Sequence, residues 1–252
     1  MKAVKIKELN KKFSEIENWK TKPHQREIEN LEDLYLAIKQ KDIVAICGSP
    51  LAGKTTLLYE FAANRKIKLD EKSALIAVRS DPVETLLGLN DFFQSNLKLF
   101  IEMLIHDEFI STEDELIETI NNVIAEHQVN TIYIDDFNGC MYQKSFTNFW
   151  NKVSELNSQK ELTFVLTADI SRALELRGGD SKPRFLSDIE SPEIEKVATK
   201  IYSLYRPENY GFPCDENGND ITNKIQIEVM KNKGGKVGNS LDYELRFPRF
   251  ID

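Results

Sequence analysis

Residues 44–61 read VAICGSPLAGKTTLLYEF, and no other stretch limits the fold as tightly. The run DIVAIC (42–47) is short, apolar and β-branched, as expected of a strand buried on both faces. Gly48, Gly53, Lys54 and Thr55 then satisfy G-x-x-x-x-G-K-[ST], and a helix is expected from there through about Asn64. A strand before and a helix after is the setting in which this motif cradles phosphates. The glycines let the chain curl until backbone N–H groups point inward, and the helix N-terminus adds a positive dipole. Lys54 is then expected to meet the β- and γ-phosphates and the Thr55 hydroxyl to reach Mg²⁺. The candidate binding loop is Gly48, Ser49, Pro50, Leu51, Ala52, Gly53, Lys54, Thr55 and Thr56.

Around this loop the chain alternates strand and helix, so the fold class is α/β with a mainly parallel central sheet flanked by helices. SALIAV (73–78), NTIYIDDF (130–137), ELTFVLTA (161–168) and TKIYSLYR (199–206) read as further strands. The region 82–106, beginning at Pro82, is apolar on more than one face and reads as helical. STEDELIETINNVIAEH opens with Ser111 or Thr112 as an N-cap followed by acids in the first turn, and another helix is expected near 143–158. At the end, NKIQIEVM (223–230) and SLDYELRF (240–247) alternate apolar and polar residues and read as a β-hairpin. Ahead of the first strand, REIENLEDLYLAIKQ places Ile28, Leu31, Leu34 and Ile38 on one helical face. The expected organisation is a basic, amphipathic extension over 1–40 and one ATPase-type domain over 41–252.

TIYIDD supplies a second functional signal. An apolar strand ending in an acid delivers a carboxylate to the edge where the phosphate loop sits. Asp135 follows the apolar run directly and is the candidate Mg²⁺ residue, while Asp136 is a second acid or a solvated strand end. Other residues read as structural. His24, His106 and His127 have no metal-ligand spacing, and Cys47, Cys140 and Cys214 read as free thiols. Phe146, Phe149 and Trp150 fit a core face better than a base-stacking platform. The lysines of the N-terminal arm read as a solvated face. A net charge of −8 opposes holding nucleic acid by bulk electrostatics, so any such contact would rest on local basic loops. No apolar run has the length of a membrane span, and the expected location is the cytoplasm.

The segment LTADISRALELRGGDSKPRFLSDIESPEIEKVATKIYSLYRPENYG, followed by IEVMKNKGGKVG, resembles the C-terminal motor domain of hexameric replicative DNA helicases of the DnaB type, a branch of the RecA-like ATPases. The likeness is carried by Arg172, Leu174 and Glu175, by LSDI (186–189), by YRPENY (205–210), and by Lys231, Lys233 and Gly235. With the phosphate loop and the Asp135 strand it covers roughly residues 40–247. The resemblance implies a RecA-like homo-oligomer, a ring or filament and typically a hexamer, with ATP and Mg²⁺ bound between neighbours. Lys54 and Thr55 would hold phosphate and metal, Asp135 would be the metal-binding acid, and Arg206 would flank the base. Asp169 would stand where the family has a glutamine that senses the γ-phosphate. Lys231 and Lys233 would reach the neighbour's site, Lys233 in place of an arginine finger. Loops 138–147 and 177–185 would face the channel, with Arg177, Lys182 and Arg184 offering cations to single-stranded DNA. The extension would dock on the adjacent subunit or cover its own sheet.

Three departures fall on the hydrolytic apparatus. Ser80 stands where the family has the glutamate that positions water, which leaves that role to Asp81 or Glu84. Asp169 brings a negative charge toward the γ-phosphate. Lys233 keeps the finger's charge without the planar fork, and a finger is worth ~10³–10⁵ in rate in GTPases. Two readings result: a DNA helicase or translocase-type ATPase in replication, or a nucleotide-holding regulatory or assembly protein, such as a helicase partner or loader, with weak or no hydrolysis.

Overall fold

The computed structural model describes residues 3–5, 31–78, 104–106, 110–140, 147–177, 181–233, 237–238, 240–246 and 249–251. In chain order the strands are β1 (Ala3–Lys5), β2 (Ile43–Gly48), β3 (Ser73–Ala77), β4 (Leu104–His106), β5 (Thr131–Asp135), β6 (Thr163–Asp169), β7 (Lys200–Tyr205), β8 (Lys224–Asn232), β9 (Ser240–Arg246) and β10 (Arg249–Ile251). The α-helices are α1 (Glu32–Leu36), α2 (Lys54–Leu69), α3 (Glu113–His127), α4 (Thr147–Lys160) and α5 (Pro192–Val197). All strands join one ten-stranded sheet in the order β1-β4-β3-β5-β6-β2-β7-β8-β9-β10. From β4 to β7 every neighbour is parallel, and the strands outside that block pair antiparallel.

Alternation along the central strands divides the core in two. On β2, Val44 and Ile46 enter a cluster with α1, α2 and the β8–β9 hairpin, while Ile43, Ala45 and Cys47 enter another with α3, α4 and α5. Each such side chain contributes about 1.5–3 kcal/mol when fully buried. Burial pushes the Cys47 thiol up to about 12, so it is a packing residue at neutral pH. Cys47 and Cys214 are free, and the side chain of Cys140 lies outside the described residues. Phe149 and Trp150 are buried against Phe137 and belong to the core.

The hairpin forms as expected, with Ile227 opposite Leu241. Thr112 caps α3 by accepting from the Glu115 N–H at 3.2 Å, and Glu115 reaches back to the Ser111 N–H at 2.8 Å. One expectation fails. The region 82–106 is not helical to its end, because Leu104–His106 form β4, pairing Ile105 with Leu75 of β3. Three residues are too few to show a strand period, and what selects the conformation is the open ladder of β3. Residues 82–103 lie outside the described residues, as do Ile28, Phe146 and His24.

Buried ions tie the layers together. Leu31, Leu34, Tyr35 and Ile38 pack α1 onto its own sheet, and Arg65 of α2 donates to the carbonyls of Tyr35 at 2.7 Å and Ile38 at 2.9 Å. Arg65 also pairs with Glu71 at 2.6 Å, and Glu71 accepts from Thr131 at 2.6 Å and Tyr133 at 2.8 Å, on β5. At the start of β2, Asp42 accepts from the Lys39 N–H, the Thr199 hydroxyl and the Lys200 ammonium, each at 2.7 Å. Burial pushes the Asp42 carboxyl up, but these three donors outweigh it and leave it below the usual aspartate value.

That depression makes Asp42 a stabilising group above the unfolded aspartate pKa, and its contribution is lost as pH falls through the lower folded value. Asp42→Asn leaves Lys200 as a buried, unpaired charge and is expected to cost about 3–5 kcal/mol at neutral pH. Chemical unfolding across pH 2–7 checks this. The gap between parent and variant should close on the acid side, and a gap independent of pH would contradict it.

Candidate functional site

The phosphate loop leaves the sheet at the C-terminal end of β2, where the chain has least room. A Cβ on Gly48 would lie 3.1 Å from the Leu204 carbonyl oxygen and 3.2 Å from Ala52 Cβ, so glycine lets the loop stay close to β7. Gly53 has φ 95°, and α2 begins at the next residue, which aims the first N–H groups of the helix into the loop. Leu51 also has positive φ, at 62°, and its side chain is exposed. The turn after β7 supports the loop from the side. Arg206 donates to the Leu51 carbonyl at 3.2 Å and to Asn223 at 2.9 Å, and pairs with Glu208. Asn209 donates to the Pro50 carbonyl at 3.1 Å.

Lys54 folds over the loop. Its ammonium donates to the carbonyls of Gly48 at 2.9 Å and Ser49 at 3.0 Å, and pairs with Asp169 at 2.8 Å. The pairing follows from the ladder, because Asp169 is the last residue of β6 and its Cα partner is Gly48. The Asp169 N–H donates to Asn138 Oδ1 at 2.9 Å.

Next to it, the Thr55 hydroxyl donates to Asp135 Oδ1 at 3.0 Å, and the Thr167 hydroxyl donates to the same oxygen at 2.9 Å. Asp135 is 2 % exposed. Burial pushes its carboxyl above the usual range, although Thr167 and Thr55 pull the other way. A cation would relieve that burial, and Thr55 with Asp135 offers the hard oxygens that suit an Mg²⁺ shared with phosphates and waters. Asp136, at φ 55°, turns the chain out of the strand, and its N–H donates to Thr167 Oγ1 at 2.7 Å.

Four residues named from sequence therefore meet at one edge: Lys54, Thr55, Asp135 and Asp169. Asp81, Ser80 and Glu84 lie outside the described residues. Lys231 and Lys233 are at the opposite edge, Lys231 donating to the Glu195 carbonyl at 2.6 Å and the Lys233 N–H to the Thr199 carbonyl at 2.8 Å. Burial, and after it the neighbouring Lys233, hold the Lys231 ammonium below its usual value, against the pull of Glu195. Arg177 is bound bidentately to Asp188, which also accepts from the Arg184 and Phe185 N–H groups, and Lys182 pairs with Glu228 at 3.4 Å.

The supporting residues Asn138, Thr167, Asn209 and Tyr210 did not emerge from sequence reasoning. Thr167 carried the clearest signal, as a hydroxyl in an apolar strand buried on both faces. A cavity of about 230 Å³ opens between Ser49–Pro50, the turn after β6 and Tyr210, beside the loop. The Ser49 hydroxyl there is buried with no hydrogen-bond partner.

Comparison with known proteins agrees with this arrangement. The chain is similar to a solved structure of an isolated ATPase domain, with TM-score 0.67 and 17 % identity over 100 % of this chain and 99 % of that one. It is also similar to a solved DnaB-like replicative helicase described with its interactions with primase, with TM-score 0.65 and 16 % identity over 100 % of this chain and 67 % of that one. These likenesses show the fold, a RecA-like α/β architecture. No curated protein matches the chain. The family model for the DnaB-like helicase C-terminal domain matches residues 92–252, and the chain belongs to that family.

Proposed function

We propose that the chain binds ATP with Mg²⁺ and works as a DnaB-like motor on DNA in replication, as a homo-oligomer with nucleotide between neighbours. The observation that carries this reading is the meeting of Lys54, Thr55, Asp135 and Asp169 at the C-terminal ends of β2, β5 and β6. Lys54 binds the β- and γ-phosphates, the first turn of α2 donates backbone N–H groups, and Thr55 and Asp135 hold the metal. Mg²⁺, when bound, neutralises the charge that builds on the phosphates during transfer.

The placement of Lys233 supports a site completed in trans. Its N–H is bonded to Thr199, about 16 Å along the sheet from Leu204, the residue level with Gly48. A lysine side chain does not span that distance, so Lys231 and Lys233 serve a second copy. Water activation is assigned to Asp81 or Glu84. Contact with single-stranded DNA is assigned to the 177–185 segment, through Arg177, Lys182 and Arg184 once they exchange their present partners for phosphates. Primase-like replication proteins are the proposed further partners, by analogy with the similar helicase. Among the described residues no helix is long and apolar enough to cross a membrane, and the cytoplasm is the proposed location. The Lys54–Asp169 pair favours a second reading, in which nucleotide is held and turned over slowly.

ATP turnover with and without single-stranded DNA, with oligomer size followed in the same samples, separates the two. Lys54→Ala should lower DNA-stimulated turnover on the order of 10²-fold or more. Binding and assembly without consumption would select the second reading. Asp135→Asn removes a buried charge, so the nucleotide-free protein should melt roughly 2–4 °C higher, the shift given by about 1 kcal/mol in a domain of this size. The same variant should lose the Mg²⁺ dependence of nucleotide affinity in calorimetry. A lower melting temperature with metal-dependent binding retained would remove Asp135 from the metal site.

A further inference from the structure

We propose that Asp169 sets the choice between nucleoside diphosphate and triphosphate, by occupying on Lys54 the place that a terminal phosphate oxygen needs. The inference rests on the ATP-binding reading and deepens it. An ammonium has three donors, and Lys54 spends them on Gly48 O at 2.9 Å, Ser49 O at 3.0 Å and Asp169 Oδ1 at 2.8 Å. A phosphate that engages Lys54 must displace one of these acceptors. Two are neutral carbonyls of the loop itself, and the third is an anion on another strand.

Asp169 is not free to withdraw. Its Cα is in register with Gly48, its N–H is held by Asn138 at 2.9 Å, and its carbonyl accepts from the Glu190 N–H at 3.1 Å. A triphosphate therefore brings its last phosphate against a fixed carboxylate of the same sign, in a setting where Lys54 is only 14 % exposed. A diphosphate ends one group earlier. Lys54 then bridges its terminal phosphate and Asp169, and the pair survives binding. The same sequence that keeps an intact phosphate loop thus favours the product state of its own nucleotide, and the resting protein is expected to hold ADP.

Calorimetric titration of the whole chain with Mg²⁺–ADP and with the Mg²⁺ complex of β,γ-imido-ATP tests this. The unsubstituted protein is expected to bind ADP more tightly. Asp169→Asn, which keeps shape and removes charge, should shift the ratio of the two dissociation constants toward the triphosphate by about ten-fold, mainly through the triphosphate arm. Asp169→Gln is the second variant, and thermal unfolding establishes that either one is folded. A ratio unchanged in both folded variants, with binding still dependent on Lys54, overturns this inference alone. Failure of the unsubstituted protein to bind either nucleotide, or binding that survives Lys54→Ala, overturns the ATP-binding reading and this inference with it.

Discussion

The burial of β2 is the constraint on which the rest of the molecule depends. Every residue of this strand is buried, with parallel neighbours on both edges and an apolar layer on each face. A strand in that position has nowhere to place a polar side chain except at its ends. Its polar chemistry is accordingly divided between Asp42 before the first residue and the phosphate loop after the last. The register carries the consequence across the sheet: because Gly48 is level with Asp169 and Leu204, the ends of β6 and β7 are delivered to the loop without any further instruction.

The two ends of β2 carry ion pairs of similar length and opposite character. At Asp42 and Lys200 both partners are buried, and the carboxylate is saturated by a hydroxyl and a backbone N–H as well as the ammonium. Breaking such a pair strands a charge in a medium that cannot solvate it, so the pair serves as a clamp. At Lys54 and Asp169 the partners are part-exposed, and the lysine's other acceptors are loop carbonyls. A ligand rich in anionic oxygens can replace them at little cost. The Arg65–Glu71 cluster is a clamp of the first kind, closing the last carbonyls of α1 and binding the start of β5.

What was legible in the sequence follows the same division. Strands β2, β3, β5, β6 and β7 stood out because burial on both faces demands uninterrupted apolar runs, and the hairpin because one covered face demands alternation. The phosphate loop was legible because each of its positions is limited by a different local cause, such as the crowding at Gly48 and the left-handed backbone at Gly53. β4 was not, since a three-residue strand is chosen by the open edge beside it and not by its own pattern. Thr167, Asn138 and Asn209 were hidden for a related reason. Their partners, Asp135, Asp169 and the loop carbonyls, are 31–159 residues away, and only the fold makes them neighbours. The Lys54–Asp169 pair, 115 residues apart in sequence, became visible only through strand order.

Strand order also bears on how the proposed motor would be assembled. β7 is shared by both halves of the proposed site: Leu204 flanks the phosphate loop, while Thr199, just before its first residue, holds the Lys233 backbone. One rigid strand therefore separates the nucleotide-binding edge from the edge that carries the lysine pair. A protein that presents the two halves of a site on opposite edges cannot complete it through a two-fold dimer of like edges. It requires head-to-tail contact, which repeats until the rotation closes a ring or continues as a filament. In such an array the clamp at Asp42 and Lys200 lies on the same edge as Lys231 and Lys233, because Lys200 pairs with Asn232 across β7 and β8. The buried pair that fixes the start of β2 thus also fixes the platform from which the neighbour's nucleotide would be approached, so stability and assembly draw on the same few residues.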